Sequence, residues 1–532
     1  MGRRDLLFVA LIVAGAGMLA ASLVPARGPA PAAPRADRPD LADVAGRVDE
    51  ALGRRRHGAG PAPAARADDL AILRRLSLGL TGTIPSLEAI RRFEVRPADG
   101  RLAAWLDEAL ADNRASDYLA ERLARAFVGT EGGPFLVYRR RRLVAWLSDQ
   151  LRANRPYDAI VRDLIATEGV WTDHPATNFI SVTLDPDREV VDPERLAARV
   201  ARAFLGARID CAQCHDHPFQ PWTRADFRGL AAYFGQVRYS MAGITDGAGE
   251  FHAPTGRPDA TGPAVAPRVP FLPELDAGPG SGSRRERLAR WATSPRNGHF
   301  SRATANRAWA LLFGRPLVEP VDDLAAADDP PAALDVLADD FAAHGFDLRR
   351  LLRVIAATRA FALDSAAADD AADAAWDAFP ITRLRPEQLA GALTQAASAG
   401  TIGADSPLLS RLIAAGAIGD FVAAHGDRGA DEFAPAGTST IPQRLLLMNG
   451  DLVGKYVHED FVNLSGRIAA FAPDDRGAVE AAYLAALTRR PTPAEAAHFA
   501  SRLADARGNE RRARVADLLW ALLNSTEFSY NH

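Results

Sequence analysis

Cysteine is nearly absent from this 532-residue chain, which has two. A disulfide-built secreted protein of this length would use many more, so the fold is held by packing rather than by bridges. Lysine is scarcer still. Lys455 is the only one, and the remaining basic residues are arginine, a usage that reads as genome composition. The 63 basic and 67 acidic residues leave a net charge of -4, so electrostatics give no reason to expect nucleic acid as a partner. No second apolar stretch of membrane-spanning length follows residue 24. A glycine-rich phosphate loop, a Gly-x-Ser-x-Gly elbow and a His-Glu-x-x-His helix are all missing, so there is no ordinary hydrolase signature.

The two cysteines that are present fall three apart, in Cys211-Ala-Gln-Cys214-His215. Random placement gives this pattern on the order of once in ten thousand chains, and it is the attachment sequence of a covalently bound c-type haem. Two thiols one turn apart can add to the two vinyl groups of one porphyrin, with His215 as the fifth iron ligand. The sixth ligand is open among Met241, Met448, His174, His252 and His299; His217 is too close in sequence to reach the opposite face. Met448, after three leucines, reads as core. Three rival readings use the same residues. One is zinc held by Cys211, Cys214 and His217 or His215, with a fourth ligand such as His174 or Asp216; another is a disulfide, redox-active or structural; in the third the thiols matter only for packing. Asp216 reads as a cap or turn before Pro218, and Phe219 and Trp222 as apolar cover for a porphyrin or a staple for the next helix.

At the N-terminus Arg3 and Arg4 precede an uncharged stretch from Leu6 to Val24, followed by a proline- and alanine-rich run. Residues 1–24 read as a cleaved signal peptide or a retained membrane anchor, and 25–66 as a linker. The remainder is then expected in the periplasm or cell envelope, tied to the membrane only through residues 6–24. That compartment is where bacteria attach c-type haem.

Helical signals dominate the rest. Leu70, Leu73, Leu76 and Leu80 mark one helical face behind Asp68-Asp69, and Ser86 is placed as an N-cap. Asp192 and Pro193 open a helix that Gly206 stops, and Thr223 with Asp226 has capping-box spacing. The cysteine motif thus falls on a short connection between two helices. Residues 242–284 are rich in glycine and proline and read as a loop between a domain at 67–241 and a second helical domain at 285–532. The final helix is placed at Val515 to Phe528. Asn306 and Arg307 beside Trp309 read as a buried polar network tying helices together. The fold class is mainly α: two helical domains joined by a Gly/Pro-rich loop, preceded by a signal or anchor helix and linker.

Leu80-Thr-Gly-Thr-Ile-Pro85, Cys211 to Phe219 and Trp222 resemble the planctomycete cytochrome-type domain of unknown function. Phe300-Ser-Arg-Ala303, Asn306-Arg-Ala-Trp309, Leu317-Val-Glu-Pro320, Pro442 to Asn449 and Leu522 to Phe528 are similar to the planctomycete-specific domain that follows it. The resemblance implies a large exported, mainly helical protein, sometimes associated with sulfatase-like exported partners. Three functions stay open: a c-type-cytochrome-like protein with haem c and a redox partner, a cell-envelope scaffold with a disulfide or zinc, and an exported metal-dependent enzyme.

Overall fold

In the computed structural model the described residues are 38–54, 62–130, 138–185, 190–254, 262–327, 329–365, 375–403, 419, 421–422, 432–433, 440–449, 453–454 and 463–532. The Leu6–Val24 segment lies outside them. Among the described residues no helix is long and apolar enough to cross a membrane. The architecture is mainly helical, and among the described residues the sheets are four short antiparallel pairs.

The caps read from sequence are in place. Asp68 accepts from the main-chain N–H of Leu70 at the start of the Asp69–Thr81 helix, and Ser86 from Ala89 at the start of Leu87–Val95. Asp192 receives Glu194 and Arg195 ahead of Pro193–Val200, and Thr223 with Asp226 closes a reciprocal box before Arg224–Ala231. Each satisfies main-chain donors that a helix start leaves unpaired.

Three elements differ from expectation. Residues Arg38–Gly53, inside the stretch read as linker, form a 16-residue helix. Its Val44, Val48 and Leu52 are buried against the main core, so a stripe at four-residue spacing prevails over the composition around it. The 242–284 stretch holds strands: Gly243–Asp246 pairs with Val237–Ser240, and Phe251–His252 with Ala264–Val265. The last helix runs Gly508–Leu523, and Glu527–Ser529 is a separate 3-10 turn. Tyr530–Asn531 then pairs with Thr382–Arg383, so this end is docked by main-chain bonds.

The Asp69–Thr81 helix is the hub. Its expected apolar face is buried, and so is the opposite one, which carries Ile72, Leu78, Arg74 and Arg75. Arg75 stands over the Phe379 ring at 3.8 Å and donates to the main-chain oxygens of Phe361 (2.9 Å), Leu363 (2.7 Å) and His532 (2.9 Å). Arg74 donates to Ala486 and Phe528, both at 3.2 Å. A planar fork with several donors suits such scattered carbonyls, whereas an ammonium does not. Gly79 lets this helix approach Gly298–Phe313 closely; a Cβ there would sit 2.9 Å from Leu312 Cδ2 and 3.3 Å from the Leu311 carbonyl.

The largest core draws on both halves of the chain, from Val44 to Phe433. Tyr157 stacks on Phe300 with ring centres 5.7 Å apart, and the fully buried Arg285 reaches back to the carbonyls of Ile165 and Thr167. A second core gathers Leu389, Leu393, Ile468, Tyr483, Leu519 and Phe528 around Leu78 and Ile84.

Candidate haem-attachment site

The motif hangs between two firmly held helices. Behind Pro193–Val200 the chain widens into a π turn, Ala201–Leu205, and Gly206 closes it in the left-handed conformation at φ 57°. A 3-10 turn, Asp210–Gln213, then carries Cys211, with Ala212 buried beneath it. Cys211 and Cys214 are both exposed and free.

Neighbouring side chains fix the loop from outside. Asp323 receives the Arg208 N–H (3.3 Å) and the Gln220 amide (3.0 Å), while Gln220 accepts the Trp222 indole N–H at 2.7 Å. Asp322 pairs with Arg208 at 2.6 Å, and Arg202 with Asp210 at 2.5 Å. Arg307 donates to the carbonyls of Ala203 (2.6 Å) and Arg202 (2.7 Å), and Asn306 exchanges two bonds with the Val318 main chain. The expected Asn306–Arg307 network is therefore present, and it braces the helix end from which the motif departs. Asp322, Asp323 and Gln220 were not singled out in the sequence, because nothing local marks the two aspartates as buried or any of the three as partners of a loop far away in the chain. Asp216 accepts from the Arg224 N–H at 2.7 Å, so it fastens the loop to the next helix as the cap-or-turn reading expected.

The two histidines differ in what their rings can offer. His215 is exposed, and its Nδ1 lies 2.8 Å from the Asp216 carbonyl. A carbonyl only accepts, so Nδ1 carries a hydrogen, and in the neutral ring the lone pair is left on Nε2. His217 is half-buried, and its Nδ1 accepts the N–H groups of Phe219 (3.2 Å) and Gln220 (3.1 Å). In the neutral ring its Nε2 then carries hydrogen, so neither nitrogen presents a lone pair.

Other candidates are scattered. Phe219 is 92% exposed and meets the His217 ring edge to face at 6.5 Å, whereas Trp222 is 6% exposed and packs inward on Phe271, 5.9 Å between ring centres. Met241 is 99% exposed. Met448, expected in the core, is 46% exposed because Leu447 instead takes the inward position of the Ile441–Asn449 helix. His174 and His252 are exposed, and His252 Nδ1 lies 2.9 Å from the Gly262 carbonyl. His299 stacks on Phe271 at 4.1 Å, in the aromatic cluster behind Trp222. Among the described residues, the one group of three or more His, Cys, Asp or Glu with ligand atoms within 4.8 Å of one another is Asp40, Asp340 and His344. Arg350 already fills it as counter-cation, 2.6 Å from Asp40 and 2.8 Å from Asp340. The set Cys211, Cys214 and His217 is not drawn together in this way.

Burial, and then the Arg302 charge, pull His299 down to about 4 from its ordinary 6.5. The unfolded chain therefore takes up this proton first. The stability contributed by the neutral ring is complete above pH 6.5 and is lost as the pH falls towards 4, by up to about 3 kcal/mol. Urea midpoints measured between pH 7 and 4.5 should fall, and His299→Gln should flatten that slope; an unchanged slope contradicts the assignment.

Two family models match the chain. PSCyt2, protein of unknown function (DUF1549), matches residues 47–239, and PSD1, protein of unknown function (DUF1553), matches residues 284–406. No curated protein and no solved structure matches. The first match begins inside the Arg38–Gly53 helix and contains the whole cysteine loop, while the second contains Arg307, Asp322 and Asp323, which brace that loop. The chain thus belongs to the proteins that carry a PSCyt2 domain followed by a PSD1 domain, both of unknown function.

Proposed function

We propose that this is an exported c-type-cytochrome-like protein that carries haem c on Cys211 and Cys214, with His215 as the proximal iron ligand. The observation that carries the reading is the His215 ring. Its Nδ1 is held by a carbonyl, which is the outer-shell arrangement that orients a metal-ligating imidazole and leaves Nε2 free. The residues present fit the group in two further respects: both thiols are free and exposed, and a buried floor at Ala212 lies beneath them. His217 is the weaker ligand because two main-chain N–H groups occupy its Nδ1.

Haem bound here would supply one-electron or ligand chemistry. The protein's own contribution is to hold the proton at His215 Nδ1 and to keep the loop fixed through Asp216, Gln220 and Asp323. The open surface beside the motif gives a redox partner direct access. Export to the periplasm or cell envelope, which the Leu6–Val24 segment supports, puts the chain where thioether attachment takes place.

The test is production of the full chain in a host with c-type haem maturation, followed by haem staining after denaturing electrophoresis. A Soret-absorbing group should stay with the polypeptide, and replacing both thiols together, Cys211→Ala with Cys214→Ala, should abolish the staining, because no thioether can then form. His215→Ala should keep the covalent link and change the spectrum. A colourless, folded protein with free or mutually linked thiols, or one zinc per chain, overturns the reading.

A further inference from the structure

A second site lies apart from the cysteine loop and does not depend on how that loop is read. The end of the Asp69–Thr81 helix, the Leu87–Val95 helix and the Arg101–Ala111 helix enclose a cleft of about 130 Å³, closed on one side by Thr401. A cavity of about 150 Å³ accommodates a six-membered ring. This one is of similar volume and opens to solvent at the exposed Arg92, so a ring can enter with its substituents at the mouth; its walls are mixed, with hydroxyls from Ser77, Thr81, Ser86 and Thr401 beside the apolar Ile84 and Ala109.

The hydrogen-bonding inventory is lopsided. Asp112 is taken by Arg114 at 2.7 Å and Glu108 by Arg96 at 2.5 Å, so the acidic groups of the wall are already neutralised. Two donors remain. The Trp105 indole Nε1 is buried without an acceptor, and among the described residues the exposed Arg92 guanidinium has no ion pair. An occupant of the cleft that carries an acceptor would satisfy that N–H, as water does in its absence. Arginine presents a fork shaped for carboxylate. The Ser77 and Thr81 hydroxyls donate to the carbonyls of Leu73 and Ser77, both at 2.8 Å, so each keeps a lone pair able to receive a ligand's own hydroxyl.

We propose that this cleft binds a single carboxylate-bearing sugar ring, its carboxylate held by Arg92 and the Trp105 N–H and its hydroxyls by the serine and threonine wall. A sugar acid meets all three features together: ring size, one negative charge and several hydroxyls. An aromatic acid satisfies the first two, and a neutral sugar the first and third.

Calorimetric titration of the full chain with D-glucuronate tests this, with glucose and benzoate as the two comparisons. Glucuronate should bind saturably at one site, with glucose and benzoate each weaker by about tenfold or more, since each forfeits one set of bonds. Trp105→Phe keeps the ring and removes the N–H, and Arg92→Ala changes an exposed residue; each should weaken glucuronate by about tenfold while circular dichroism stays unchanged. Should Trp105→Phe fail to fold, Arg92→Ala decides alone. No saturation with glucuronate, wild-type affinity in the variants, or benzoate binding equally well overturns the proposal.

Discussion

Residues 1–283 produced without the remainder are expected to give no cooperative unfolding transition and to accumulate as aggregate, while the full chain folds. The cut removes Phe300, Trp309, Leu312 and Phe313, all fully buried in the core that also holds Leu76, Phe127 and Phe204. At about 1.5–3 kcal/mol for each large apolar side chain, these four alone supply about 6–12 kcal/mol. That is comparable to the whole stability of an ordinary domain, about 5–15 kcal/mol. The cut also removes Arg307 from the Arg202 and Ala203 carbonyls and Asp323 from the Arg208 N–H, so the cysteine loop loses its braces. A cooperative thermal transition in the isolated piece would show that the first segment has a core sufficient for itself.

Arg75→Ala should be the most damaging single substitution. It strands two buried main-chain acceptors, at Phe361 and Leu363, frees a partly buried one at His532, and removes the cation from the face of Phe379. A buried polar group left without its partner costs about 1–3 kcal/mol, so the loss is at least about 2 kcal/mol. Arg75→Lys should recover little, because one ammonium cannot reach carbonyls spread around a planar fork. Urea midpoints of the two variants settle the matter: if lysine restores the wild-type value, charge alone suffices and the fork geometry is irrelevant.

Sequence was informative where structure is local. Asp68, Ser86, Asp192 and the Thr223–Asp226 pair act on main-chain groups two or three residues away, so spacing alone locates them. Gly206 is legible for the same reason, since a helix stop of this kind needs a left-handed residue. The arginines were not legible. Composition explains why there are many, yet Arg74, Arg75, Arg285 and Arg307 are buried and bonded to carbonyls more than a hundred residues away, and no window of sequence contains both partners. The same holds at the cysteine loop. Its residues could be picked out by pattern, but the opposite hydrogen-bond roles of His215 and His217 arise from how the backbone turns at Asp216 and Phe219. Met448 shows the converse error, in which a leucine run suggested burial without saying which of its members faces inward.

The reach of Arg74 and Arg75 also sets an order of events. Their partners at Phe528 and His532 lie 454 and 457 residues further along the chain, so the hub helix stays unlatched until those residues have been made. Closing loops of that length is slow, and contacts of such range reward the chain only after the closure entropy has been met. The Asp69–Thr81 helix is therefore synthesised early and secured late. Until then its two faces and both guanidinium groups stay open on the growing chain, where a holding factor could meet them.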